Sequence, residues 1–208
     1  MFEFIALIIG KRYWKLHSLI IKFVLKLYGI QVGRGFYCEG VPKLKIMGKG
    51  SNISFGDCVS ILGNIDLRNR EDGVIDLKKH VTVEGNVRIV SARHGKIEVG
   101  EGSIITAFAL INGGDDIIIG KHVIVGPRVS INSNEHVFKR DQFVRGAGFD
   151  HAPVYIEDDC WIAANVVINK GVRLRKGSII GAGAIVTKDT EEYSINVGIP
   201  SKKIGERT

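Results

Sequence analysis

Bulky apolar residues recur at every sixth position: Val99, Ile105 and Ile111 form one series, and Ile119, Val125 and Ile131 form the next. Four positions after several of them stands a second small or apolar residue, Ser103 and Ala109, then Val123 and Val129, and Gly100, Gly120 and Gly126 follow the bulky residue directly. The register returns at Phe55, Ile61, Leu67, at Leu77, Val83, Ile89, at Ile156, Ile162, Ile168 and at Leu174, Ile180, Val186. An amphipathic helix repeats its apolar face every 3.6 residues and a half-buried strand every second residue, so a sixth-residue period points instead to stacked coils. Each triplet supplies three short strands, so one coil takes about 18 residues plus a short bulge. A single coil would expose both its apolar row and its backbone groups. Stacking coils at about 4.8 Å pairs the backbones as parallel sheets and joins the rows into one core of triangular cross-section. The β-branched residues on these rows agree with that reading.

The period breaks in two places. Ahead of the coils, Leu16, Leu19, Ile20, Phe23, Val24 and Leu27 follow helical spacing, with Lys15, Lys22 and Lys26 gathered on the other side. This predicts a basic amphipathic helix ending near Gly29. Two uses are open to it: lying on anionic lipid, or packing its apolar face on the coils or on a neighbouring subunit. The second break follows Ile131, because the next series starts only at Ile156. Residues 132–153 carry neither period and read as a loop inserted into a coil, and long loops on rigid scaffolds tend to carry function. The chain thus divides into a helical segment at 1–30, a repeat domain at 31–190 and a tail at 191–208.

Composition narrows the setting. The 208 residues suit one domain, and 26 glycines against 4 prolines suggest many turns within ordered structure. The net charge of +7 favours anionic partners. Lys11, Arg12, Lys15, Lys22 and Lys26 against the single acid Glu3 give the first thirty residues five minus one, or +4, of that excess. The basic residues are not interleaved with aromatics as a stacking platform would need, so no nucleic-acid partner is expected. Cys38, Cys58 and Cys160 are odd in number and lack CxxC spacing, which fits a reducing cytoplasm. The apolar run Phe4 to Ile9 has no basic residues before it and no cleavage motif after it, so a secretory signal is not expected. No apolar run approaches the roughly 20 residues that span a bilayer. The expected location is cytoplasmic, with the inner face of the cytoplasmic membrane open to the N-terminal helix.

Three stretches after the insertion are more specific than the period. They are Cys160-Trp161-Ile162-Ala163-Ala164-Asn165, then Ile180-Gly181-Ala182-Gly183-Ala184-Ile185-Val186-Thr187-Lys188-Asp189, and finally Gly198-Ile199-Pro200-Ser201-Lys202-Lys203-Ile204. With the repeats, they resemble the hexapeptide-repeat acyltransferase superfamily, within it the sugar and exopolysaccharide O-acetyltransferases, from about Val32 to about Ile204. The resemblance implies an all-β, left-handed parallel β-helix and a homotrimer with sites between subunits. It also implies acetyl-CoA or another acyl-CoA as co-substrate, no metal, and acetyl transfer to a sugar hydroxyl in surface polysaccharide or lipopolysaccharide biosynthesis. Acylation of the amine of a nucleotide-linked amino sugar is the alternative, and a non-enzymatic scaffold is a third reading.

By that resemblance His136, at the start of the insertion, is the general base. Imidazole titrates near working pH, so it can take a proton from the attacking hydroxyl and return one to the departing thiolate. His151, at the far end of the insertion, is the weaker candidate. Asn112, Asn134 and Glu135 are expected at the acceptor, although Thr106-Ala107-Phe108 lacks the asparagine that maltose and galactoside enzymes carry thereabouts. Trp161 and Ala164 are expected near the pantetheine arm or reaction centre, Ala182 offers backbone groups to the arm, and Thr187, Lys188, Lys202 and Lys203 face phosphates. Ala163 stands where the family has glycine. Cys160 occupies an inward position and reads as core rather than nucleophile. A zinc hydratase on this scaffold needs three converging imidazoles, two of them five residues apart, and no pair among His80, His94, His122, His136 and His151 has that spacing.

Overall fold

The computed structural model describes residues 10–208, so Glu3 and the apolar run at 4–9 lie outside the described residues. Helix α1 (Lys11–Leu27) leads into a parallel β-helix of seven coils, with one strand of each coil on each of three sheets. The first and third sheets have seven strands, and the second has nine because the C-terminal strands Ser194–Val197 and Lys202–Glu206 extend it. This is the expected β-class, a parallel β-helix of stacked coils behind one short helix.

The six-residue period survives as physical stacking. Leu77, Val99, Ile119, Ile156 and Leu174 are successive Cα partners on the first sheet. Val83, Ile105, Val125, Ile162 and Ile180 form the column on the second, and Ile89, Ile111, Ile131, Ile168 and Val186 that on the third. All belong to one buried core, and full burial stabilises each such side chain by about 1.5–3 kcal/mol. A coil precedes the first predicted triplet: Val32, Cys38 and Leu44 take its inward positions, six residues apart.

Coil corners explain the glycines and their absence. A Cβ on Gly100 would lie 2.3 Å from the Gly120 carbonyl oxygen, and one on Gly120 would lie 2.4 Å from Asp158 Oδ1, so close stacking demands glycine there. Other corners hold residues such as Cys58, His80, Arg128 and Asn165 in the left-handed region. Ala163 is tolerated because its column admits side chains: the corresponding residues of other coils include Leu62, Glu84 and Thr106.

Both ends of the stack are capped, as exposed strand edges require. At the C-terminal end, Lys202–Glu206 runs antiparallel to Ser194–Val197. At the N-terminal end α1 lies across the first coil. Lys22 Nζ donates to the Gly33 carbonyl, Ser18 Oγ donates to the Cys38 carbonyl at 3.3 Å and accepts from the Cys38 amide at 2.8 Å, and His17 Nε2 sits 3.0 Å from the Gly40 carbonyl. Leu25 enters the core and Ile21 packs against it.

The inward face of α1 corrects the expectation from hydropathy. Leu16, Leu19, Ile20, Phe23 and Leu27 point outward, while Lys22 is turned toward the coils. The apolar stripe therefore does not pack on the β-helix of its own chain. The unpaired carbonyls of the first coil need donors, and Ser18, His17 and Lys22 supply them, which turns the purely apolar face away.

Candidate active site

The insertion is a β-hairpin root rather than an irregular loop. Asn134–His136 pairs antiparallel with Phe149–His151, opposing Asn134 to His151, Glu135 to Asp150 and His136 to Phe149. Alternation along a strand puts Asn134, His136, Phe149 and His151 on one face and Glu135 and Asp150 on the other. On the second face Lys170 Nζ reaches Asp150 at 2.9 Å and Glu135 at 3.7 Å. That contact holds the Asp150 carboxyl below its usual range and raises the Lys170 ammonium.

On the first face the His136 imidazole is solvent-exposed and packs on Phe149 with ring centroids 4.2 Å apart at 35°. It makes no side-chain hydrogen bond among the described residues, so its nitrogens are open to a substrate. Asn112 Nδ2 donates to Asn134 Oδ1 at 3.2 Å, bringing two expected acceptor residues together at the hairpin root. Ser133 Oγ anchors this root by accepting from the amides of Gly114 and Asp115 and donating to the Asp115 carbonyl. His151 lies beneath, against Gly114, where an added Cβ would fall 2.5 Å from its Nδ1. That Nδ1 is buried without a partner. Burial first, and Arg93 second, lower its pKa against the opposing pull of Asp115 and Asp150, so the ring is neutral at neutral pH.

The residues expected at the donor divide between two edges: Trp161, Ala164 and Ala182 lie away from His136, whereas Thr187 and Lys188 follow the third sheet as His136 does. Trp161 is half-exposed on the outer face of the second sheet. Ala164 occupies the corner that follows, with Ala182 at the same corner one coil further on, and the Gly183 amide donates to the Ala164 carbonyl at 2.9 Å. These small side chains leave the corner open to a linear chain such as pantetheine. Lys202 and Lys203 lie on the closing strand of the same sheet. Lys203 is already committed, with 2.6 Å contacts to both Glu191 and Glu206, whereas Lys202 has no ion pair among the described residues. Thr187 and Lys188 are exposed past the last strand of the third sheet, at the next corner round.

One chain therefore does not assemble the whole set. His136 leaves the edge between the third and first sheets, Ala164 and Ala182 mark the edge between the second and third, and the width of the third sheet separates them. The outer faces also differ. The first sheet carries charge ladders, such as Lys78 between Asp76 and Glu98, while the second stacks Ile104, Ile124, Trp161, Ile179 and Ile195 in register.

Cys160 is core, as expected. Burial pushes its thiol up to about 12, and Sγ lies 3.2 Å from the Arg175 carbonyl oxygen, which disfavours the thiolate a nucleophile needs. Among the described residues no group of three His, Cys, Asp or Glu side chains is placed to hold a metal ion.

Residues 153–188 match the family model described as bacterial transferase hexapeptide (six repeats). They fall within the last two coils of a seven-coil stack built on that same period. Over these residues the chain is similar to the hexapeptide-repeat transferases. It is 42% identical over 85 residues to a galactoside O-acetyltransferase of Lactococcus lactis, covering 41% of each chain. It is 28% identical over 183 residues to the galactoside O-acetyltransferase of Escherichia coli, covering 85% of this chain and 87% of that one. The chain thus spans about two fifths of the length of the Lactococcus relative. The solved polySia-specific acetyltransferase NeuO shares the fold at a TM-score of 0.61, with 22% identity over 85% of each chain.

For this hexapeptide-repeat chain, two site residues carried no signal of their own in the sequence. Phe149, which braces His136, and Lys170, which ties the two hairpin strands, are distant from it in the chain. Only the hairpin register and the coil beneath bring them close.

Proposed function

We propose that the chain is an acyl-CoA-dependent acyltransferase that moves an acetyl group from acetyl-CoA to a sugar hydroxyl in surface polysaccharide or lipopolysaccharide biosynthesis. The observation that carries this reading is an exposed imidazole, braced on Phe149 where the stack is interrupted, one coil before the corner of Ala164 and Ala182. His136 takes the acceptor proton as the oxygen attacks the thioester carbon. The C–S bond breaks, and the same proton returns to the departing sulfur. Asn112, Asn134 and Glu135 orient the acceptor. Trp161, Ala164 and Ala182 line the pantetheine arm, and Thr187, Lys188 and Lys202 meet phosphate. Lys203 can do so only by giving up Glu191 and Glu206, so its contribution is the smallest of the set.

The separation of His136 from the Ala164 corner is the reason for a homotrimer. Side-by-side packing that covers the apolar ladder of the second sheet brings the hairpin of one chain to the corner of the next. Dependence on acetyl-CoA and three free thiols favour a cytoplasmic site of action. An amine of a nucleotide-linked amino sugar remains the alternative acceptor, because Thr106, Ala107 and Phe108 offer no side-chain amide where maltose and galactoside enzymes have one.

The test follows thiol release from acetyl-CoA with panels of sugars and amino-sugar nucleotides. His136→Ala should stay folded and bind coenzyme A while turnover falls by about 100-fold or more, the usual worth of a positioned general base. Unchanged turnover would remove His136 from its role, and a preference for amines would select the alternative acceptor.

A further inference from the structure

We propose that the outward face of α1 docks the protein on an anionic lipid surface. Three observations converge. Leu16, Leu19, Ile20, Phe23 and Leu27 stand 55–70% exposed in one stripe, although the same helix buries Ser18 and Leu25 against the first coil. A helix that spends a polar residue on its packing face and leaves its apolar stripe in water has a second partner. α1 also carries no acid, and the exposed Lys15 and Lys26 flank the stripe on one side, with Arg12 near its start.

The third observation is placement. α1 covers the terminal coil through the Gly33, Cys38 and Gly40 carbonyls, so its outer face looks away from the stack along the solenoid axis. It is therefore not part of the lateral surface that includes the Trp161 ladder. In the side-by-side trimer proposed above, three such faces lie at one end and point the same way. The inference rests on that reading for this threefold multiplicity alone.

A second copy meeting end to end would set Lys15 and Lys26 against the same lysines of its partner, with no acid on either helix to offset them. An anionic bilayer answers both features. The stripe enters the headgroup boundary, and the ammonium groups meet lipid phosphates. No helix among the described residues is long and apolar enough to cross a membrane, so the helix lies in the interface. Three faces on one plane raise the avidity beyond that of one helix.

The test is sedimentation of the full chain with vesicles of phosphatidylcholine alone or of phosphatidylcholine mixed with phosphatidylglycerol. The full chain should pellet with the mixed vesicles and be released by added salt. Leu19→Asp/Phe23→Asp should weaken partitioning by about tenfold or more, with oligomer mass and thiol release on a soluble acceptor unchanged. Lys15→Gln/Lys26→Gln should abolish the preference for mixed over neutral vesicles. The proposal is overturned if the full chain stays in solution with mixed vesicles or if the Asp variant still pellets. A drop in particle mass for the Asp variant would equally overturn it, by showing that another copy covers the stripe. Thiol release reports on the transferase reading separately, so the two can fail independently.

Discussion

His136 and His151 share a hairpin face and differ in environment, and under the proposed mechanism only His136 is placed to act on the acceptor. His136 is exposed and leans on Phe149, so Phe149→Ala should lower kcat by about tenfold by freeing the ring from its working orientation. The KM for acetyl-CoA should stay unchanged, since the proposed donor corner is untouched, and steady-state kinetics separates the two. His151 is held neutral under the hairpin, its pKa below the ordinary 6.5. Between that lowered value and 6.5 the unfolded chain binds more protons, so stability rises with pH through this window. The contribution is complete above 6.5 and is lost as pH falls toward the folded-state value. Protection factors of the hairpin amides, corrected for the intrinsic pH dependence of exchange, should therefore fall as pH drops below 6.5, and His151→Asn should flatten that dependence. Cys160 belongs to the same scale. Its inward place in the repeat was legible from spacing, and burial supplies the reason it is chemically quiet.

At the scale of elements, α1 and the hairpin show where local pattern stops informing. The helix itself was evident from the spacing of Leu16 to Leu27, but its inward side was not. Hydropathy selects the most apolar stripe, whereas the bare carbonyls of the first coil select Ser18, His17 and Lys22 as donors, with Leu25 beside them as the apolar plug. Leu25→Ala should accordingly cost about 2–5 kcal/mol in chemical denaturation, the range for emptying a buried leucine site. Aspartate at exposed Phe23 should leave the denaturation midpoint nearly unmoved. The hairpin was legible only as a break in period. Asn134-Glu135-His136 and Phe149-Asp150-His151 are short and polar, and no alternation of apolar residues marks their pairing. Ser133, which pins the root, and Lys170, which joins both strands from the coil below, specify it instead.

At the scale of the whole molecule, the proposed division of the site between two edges of one prism leads to a test by mixing. Neither His136→Ala nor an Ala164→Trp variant, with its donor corner filled, should turn over alone. Co-refolding the two should restore thiol release, because some interfaces then join an intact hairpin to an intact corner. Absence of recovery in mixed assemblies of verified composition would show that each chain works with its own residues.

The sequence by itself determined the stack: a sixth-residue apolar period dictates which side chains face inward, and close corners dictate Gly100 and Gly120. Those are local constraints, repeated coil after coil, so they are written in spacing. Tertiary structure decided which edge of the prism each site residue occupies, which side of α1 meets the coils and which aromatic braces the imidazole. These depend on backbone groups and neighbours far apart in the chain, whose unmet hydrogen bonds and contacts exist only once the coils have stacked.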